Sequence, residues 1–210
     1  MKMKLLAACV CGLAIVGGAA LGALHWRPLG PTQRERAALI SREHAAIIRT
    51  KPLHLPLVQP RLVVSKAQRE LRLYSGGKIA RVYRVGLGAN PLDDKEREGD
   101  KRTPQGDFYI TTKNAHSQFY RSLGISYPNV AAANRGLQGH LITQAQYHQI
   151  VAANRRQRNP PQNTPLGGKV LIHGGGSAYD WTFGCVALDR LDILELFSAI
   201  PLGAPVRIEP

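Results

Sequence analysis

Cysteine is scarce in this chain. Of three, Cys9 and Cys11 fall inside an apolar N-terminal run, so the body holds only Cys185 and can form no internal disulfide. Aromatic residues make up only 6% of the chain. The core must therefore be mostly aliphatic, and the chain is poor in the stacking platforms that single-stranded nucleic-acid binders interleave with basic residues. Acidic residues are few as well: 14 Asp and Glu stand against 28 Lys and Arg, a net charge of +14. That excess attracts polyanions, whether anionic lipid, cell-wall polymer or nucleic acid, without choosing among them. No nucleotide loop and no CxxC or HxxxH pair is visible. Asp180, His116, His140 and His148 are too scattered to complete a metal site with His173 and Cys185, so no metal and no organic cofactor is expected.

The N-terminus narrows the choice of partner. Two lysines in "MKMK" precede an uncharged apolar segment, residues 5–24. It reads as a signal anchor, or as a signal peptide cleaved at the small residues Ala20 or Ala23. Either way the body is expected in the cell envelope, facing the periplasm, anchored to the cytoplasmic (inner) membrane or secreted. Export disfavours nucleic acid as the partner. Residues 25–60 read as a linker, with a helical spacer at 31–51 and a proline-rich stretch at 52–60.

Residues 61–210 read as one predominantly β, α+β domain with peripheral helices. Leu62 to Val64, the alternating Leu71 and Leu73, and Ile79 to Val85 predict three consecutive strands, with "SGGK" as a turn. "DFYITTKN" predicts a fourth strand. "SLGISYPNVAAANRG" reads as irregular. Residues 143–157 predict a helix with Thr143 as N-cap, and 188–200 a helix with Leu191, Leu194, Leu196 and Phe197 inward. "KVLIH" and "APVRIEP" complete the strands.

The chemistry concentrates at "IHGGGSAYDWTFGCVALDR", residues 172–190. His173 ends a strand, and Cys185 lies before a helix whose expected N-cap is Asp189, with Asp192 three positions on. A helix N-terminus favours a thiolate, and a nearby imidazole takes the thiol proton. The N–H of Cys185 and those near Gly184 are candidate oxyanion donors. A buried small hydrophobe is the bland alternative for an isolated cysteine. The lone thiol of an exported chain, paired with His173, favours chemistry.

The same stretch resembles the signature of the YkuD-type L,D-transpeptidase catalytic domain: a histidine, a gap, then Ser/Thr-His-Gly-Cys and a hydrophobic residue. Thr182, Gly184, Cys185 and Val186 match, whereas Phe183 and Ala187 depart. "GDKRTPQGDFYI" resembles the family's TPxGxF segment through Thr103, Pro104, Gly106 and Phe108. "SLGISYPN" is similar to the YafK-like branch. The likeness spans about residues 61–209. It implies a β-sandwich-type fold acting on peptidoglycan stem peptides through a Cys185 thioester. His173 would be general base and then acid, its ring oriented by the carbonyl of Gly174. Tyr127 is a candidate for the donor groove, Trp181 for a pocket wall, and Thr182 and Phe183 for further substrate contacts. Lys101 or Arg102 is a candidate for holding a stem-peptide carboxylate, and residues 154–158 for touching anionic lipid or wall polymer. Transfer to water instead of an amine, giving an L,D-carboxypeptidase or a hydrolase, is the alternative. A wall-binding module is the rival from another class.

Overall fold

The computed structural model describes residues 51–210, together with Thr32, Glu35, Arg36, Leu39, Arg42 and Ala46. The expected membrane segment at 1–24 lies outside the described residues; among those described, no helix is long and apolar enough to cross a membrane. The strands are β1 (Arg61–Ser65), β2 (Glu70–Ser75), β3 (Lys78–Arg84), β4 (Gly106–Ser117), β5 (Tyr120–Ile125), β6 (Leu171–His173), β7 (Val186–Ala187) and β8 (Pro205–Glu209). The helices are α1 (Val130–Gln138), α2 (Gln144–Arg155) and α3 (Arg190–Ala199).

The sequence pattern makes the first three strands a meander. Leu71 and Leu73 point inward while Arg72 and Tyr74 stay partly exposed. Gly76 and Gly77 both take positive φ in the turn, which suits glycine. The full order is β3-β2-β1-β8-β4-β5-β6-β7 in one eight-stranded sheet. β8 inserts parallel to β1 and antiparallel to β4. β4 is 12 residues long and pairs with β8 through its first part and with β5 through the rest, with register shifts that bend it.

The sheet therefore curls, and its outer edges meet where the chain leaving β3 forms bridges from Gly86 to Ala187 and from Gly88 to Thr182. The fold is one curled sheet continuous through β4, where the sequence reading expected a sandwich-type arrangement. Its core is aliphatic, led by Leu62, Val64, Leu71, Leu123, Ile172, Val186 and Ile208, with Tyr83, Phe108 and Tyr127 as the aromatic members. A smaller cluster of Ala133, Ile142, Ile150 and Leu166 joins α1 to α2.

Several local expectations change. "SLGI" belongs to β5, a strand between β4 and β6, and α1 follows with Asn129 accepting from Ala132 N. Thr143 caps α2 in a reciprocal box with Gln146. On α3 the buried side chains are Asp192, Ile193 and Leu196; Leu191 and Leu194 are half-buried and line a cavity with Pro52, Leu53 and Leu55. The proline-rich stretch is docked, with Leu53 and Leu57 packed on the core.

Candidate active site

The closure of the sheet builds the site. β6 and β7 run parallel, with Ile172 opposite Val186 and His173 opposite Ala187. Cys185 directly precedes β7, and its sulfur accepts from Leu171 N, which places it beside the start of the strand that His173 ends. The carrier strand is fixed on its far side by β5, where His173 pairs with Ser122.

His173 is almost fully buried, at 1% exposure. Its Nδ1 bonds the carbonyl of Gly174. A carbonyl only accepts, so Nδ1 carries the hydrogen and Nε2 keeps its lone pair. Phe119 stacks on the ring at 4.2 Å between centroids, and Trp181 meets it edge-on at 5.7 Å. The ring therefore has a fixed tautomer and plane. Burial pushes its pKa below the ordinary 6.5, against the bond from Gly174, which raises it. No space exists for a side chain at Gly174, where a Cβ would stand 2.4 Å from Phe119 O.

Cys185 is half-buried. Its sulfur accepts from Leu171 N at 3.4 Å and lies 3.7 Å from Lys169 O, an acceptor for the S–H. Burial raises the thiol pKa above 9.0, while the Leu171 N–H and the charge of Lys95 lower it. Burial thus opposes both the thiolate and the imidazolium. Both directions run against the charged pair that the sequence leads one to expect. The expected help from a helix terminus is also missing: β7 intervenes before α3, and a helix dipole fades within its first turn. Asp189 occupies the N-cap position without a side-chain cap bond and instead accepts from Ser177 N and Oγ.

The turn that presents the sulfur is tied at each end. Asp180 holds Arg69 through two oxygens and accepts from Leu87 N at 2.9 Å. Trp181 N and Thr182 N both donate to Leu87 O, and Ala89 N donates to Thr182 O. Thr182, 3% exposed, donates to Cys185 O at 2.8 Å and accepts from Gly184 N at 3.1 Å. It buttresses the turn from within, in contrast to the expected substrate contact. Gly184 N–H is spent on that bond, which removes it from the oxyanion donors. Gly184 itself has φ +127°, and a Cβ there would stand 2.6 Å from Arg102 O.

The other candidates divide. Tyr127 is buried in the core with its hydroxyl donating to Leu166 O at 3.1 Å, so it lines no open groove. Trp181 is half-buried, its Nε1 donating to Gly176 O. Phe183 is 77% exposed next to the nucleophile, with Lys101 Nζ 5.8 Å from its ring centre. Arg102 is engaged by Asp93 and Glu96. In 154–158, Asn154 donates to Pro128 O while the residues after Arg155 stay exposed. His116, His140 and His148 are exposed on separate elements, and among the described residues no group of three or more His, Cys, Asp or Glu is placed to hold a metal. Two neighbours escaped the sequence reading. Phe119 sits at a hairpin end with no local signal, and Lys95 hides in the run "KEREGDKR", which reads as a solvated loop.

A family model described as the L,D-transpeptidase catalytic domain, YkuD, matches residues 59–208. The chain belongs to that family. The YafK-like branch is not separated from the rest of the family by this match. No curated protein matches the chain. Among solved structures, it is similar to a point mutant of the helical cell shape determining protein Pgp2 from Campylobacter jejuni, at 21% identity and TM-score 0.50, over 83% of this chain and 56% of that one. It is also similar to Bd1075 of Bdellovibrio bacteriovorus, at 19% identity and TM-score 0.45, over 72% and 48%. A third is an L,D-transpeptidase from Mycobacterium smegmatis, at 10% identity and TM-score 0.43, over 72% and 59%. The chain thus spans about half to three fifths of the length of these solved chains, and the Pgp2 likeness is one of fold.

Proposed function

We propose that the chain is a cell-envelope cysteine acyltransferase, an L,D-transpeptidase acting on peptidoglycan stem peptides. One observation carries this reading: a buried imidazole, its Nδ1 bonded to Gly174 O, ends β6, and the half-buried sulfur of Cys185, the residue just before the paired strand β7, accepts from Leu171 N at the start of that same β6. His173 Nε2 takes the thiol proton as the sulfur attacks the carbonyl carbon between an L-centre and a terminal D-residue. The Cys185 N–H is the donor for the oxyanion. The C–N bond breaks, the proton on Nε2 passes to the leaving D-amino acid, and a thioester remains. An amine acceptor then gives up a proton to His173, attacks the thioester and restores the thiol. The N-terminal segment would tether or export this domain, and its positive charge suits an anionic wall.

Phe183 supports a second reading. It stands exposed where the family often has histidine and offers an amine acceptor no polar contact; with water as the acceptor, deprotonated by His173 in the same way, the product is a trimmed tripeptide. Incubating the full chain with disaccharide tetrapeptide separates the two: cross-linked dimers indicate transfer, and tripeptide alone indicates hydrolysis. Equal turnover by a Cys185→Ala chain would sink both.

A further inference from the structure

Lys95 is out of place for a loop residue. It is 2% exposed, and its ammonium donates to Asp100 Oδ1 at 2.8 Å and to Arg97 O at 2.9 Å. Asp100 is itself locked, accepting from the backbone N–H groups of Glu96, Arg97 and Arg102. Burial pushes the Asp100 carboxyl up, but the bonds from Lys95 and those N–H groups outweigh it and hold it below its usual range. The lysine stem passes Gly167, where a Cβ would come within 3.3 Å of its Cε. The ammonium comes to rest against Gly184, 3.9 Å from where a Cβ would stand. A loop anchor needs no charge, since a buried ion pair commonly adds no more stability than a packed apolar pair. What the pair adds here is an ammonium held in place beside the residue that precedes the sulfur.

We propose, resting on the acyl-transfer reading above, that Lys95 is a positioning residue whose pinned ammonium stabilises the negative sulfur of Cys185 as the thiol gives its proton to His173. Lys95 itself takes no proton and forms no bond in the step. Lys95 supplies the positive charge that the distant terminus of α3 does not. The other charged or titratable groups around the turn are otherwise directed. Arg102 faces Asp93 and Glu96, Lys101 is exposed over the ring of Phe183, Glu98 lies beside Gly167, Lys169 is exposed, and His173 is held by Gly174.

The test is the pH profile of iodoacetamide alkylation of the full chain, read at the Cys185 peptide by mass spectrometry so that Cys9 and Cys11 do not interfere. Lys95→Met should move the profile to higher pH and slow alkylation at pH 7 by about threefold or more, because the thiolate is the reactive form. Lys95→Arg, which keeps the charge, should stay close to the wild type. Asp100→Asn, which removes the counter-charge, should move the profile to lower pH. Profiles that superimpose on the wild type while the melting temperature falls would make Lys95 a loop anchor and overturn the proposal. Should Lys95→Met fail to fold, an unmoved Asp100→Asn profile would overturn it equally. This readout is independent of turnover: the enzyme reading stands or falls on Cys185→Ala, and the role of Lys95 on the alkylation profile.

Discussion

Thr182 offers a direct measure of how firmly the fold holds its nucleophile. Its hydroxyl, buried with the residue at 3% exposure, satisfies the Cys185 carbonyl and the Gly184 N–H together. Thr182→Val keeps the shape and removes both bonds. Each buried partner left unpaired costs about 1–3 kcal/mol, so the variant should lose about 2–6 kcal/mol. For a domain of this size each kcal/mol lowers the melting temperature by about 2–4 °C, which gives a drop of about 4–24 °C. Turnover should fall by about tenfold or more, since small displacements of a reacting group are expensive. Thr182→Ser keeps the hydroxyl and should restore most of both. Calorimetric melts beside tetrapeptide turnover provide the assay. A Thr182→Val chain that melts with the wild type but shows a raised KM would refute the buttress and return Thr182 to substrate contact.

Three further outcomes follow from the same geometry. Gly184→Ala should destabilise by at least about 1–3 kcal/mol, the usual cost of such backbone strain, because φ +127° and the Arg102 carbonyl both exclude a Cβ; an unchanged melt would contradict this. Phe119→Leu should lose about 0.5–1.5 kcal/mol of ring stacking and lower kcat more than it raises KM, as the His173 plane is freed; kinetics with unchanged kcat would contradict it. His173 should make stability pH-dependent in a defined direction. Above pH 6.5 its ring is neutral in both states; as the pH falls through 6.5 the unfolded chain takes the proton first, so stability is lost until the folded ring also protonates. Urea midpoints at pH 7.5 and 5.5 should separate less in His173→Gln than in the wild type.

What was legible in the sequence followed from local rules. The β1–β3 meander has alternating side chains and a glycine turn, and α2 has a reciprocal cap, so each is written in contiguous sequence. β5 was not legible because its last four residues are all buried and show no alternation. α1 hid behind Pro128, its buried residues being only Ala132, Ala133 and Gly136. At the site, the type and order of His173 and Cys185 suggested chemistry, but their surroundings depend on long-range closure. Phe119 reaches His173 from the β4–β5 hairpin, and Lys95 reaches Gly184 from a loop that only folding buries. The expected help from the helix terminus fails for the same reason: nearness of Cys185 to α3 in sequence conceals the strand between them.

The central claim is that Cys185 carries the acyl group. Intact-protein mass spectrometry of the full chain with disaccharide tetrapeptide, followed by peptide mapping, tests it most directly. The account predicts an adduct on the Cys185 peptide equal to the donor less its terminal D-residue, sensitive to hydroxylamine as a thioester is and absent from Cys185→Ala. An adduct at another residue, or cross-linked or trimmed product formed equally by Cys185→Ala, would contradict it.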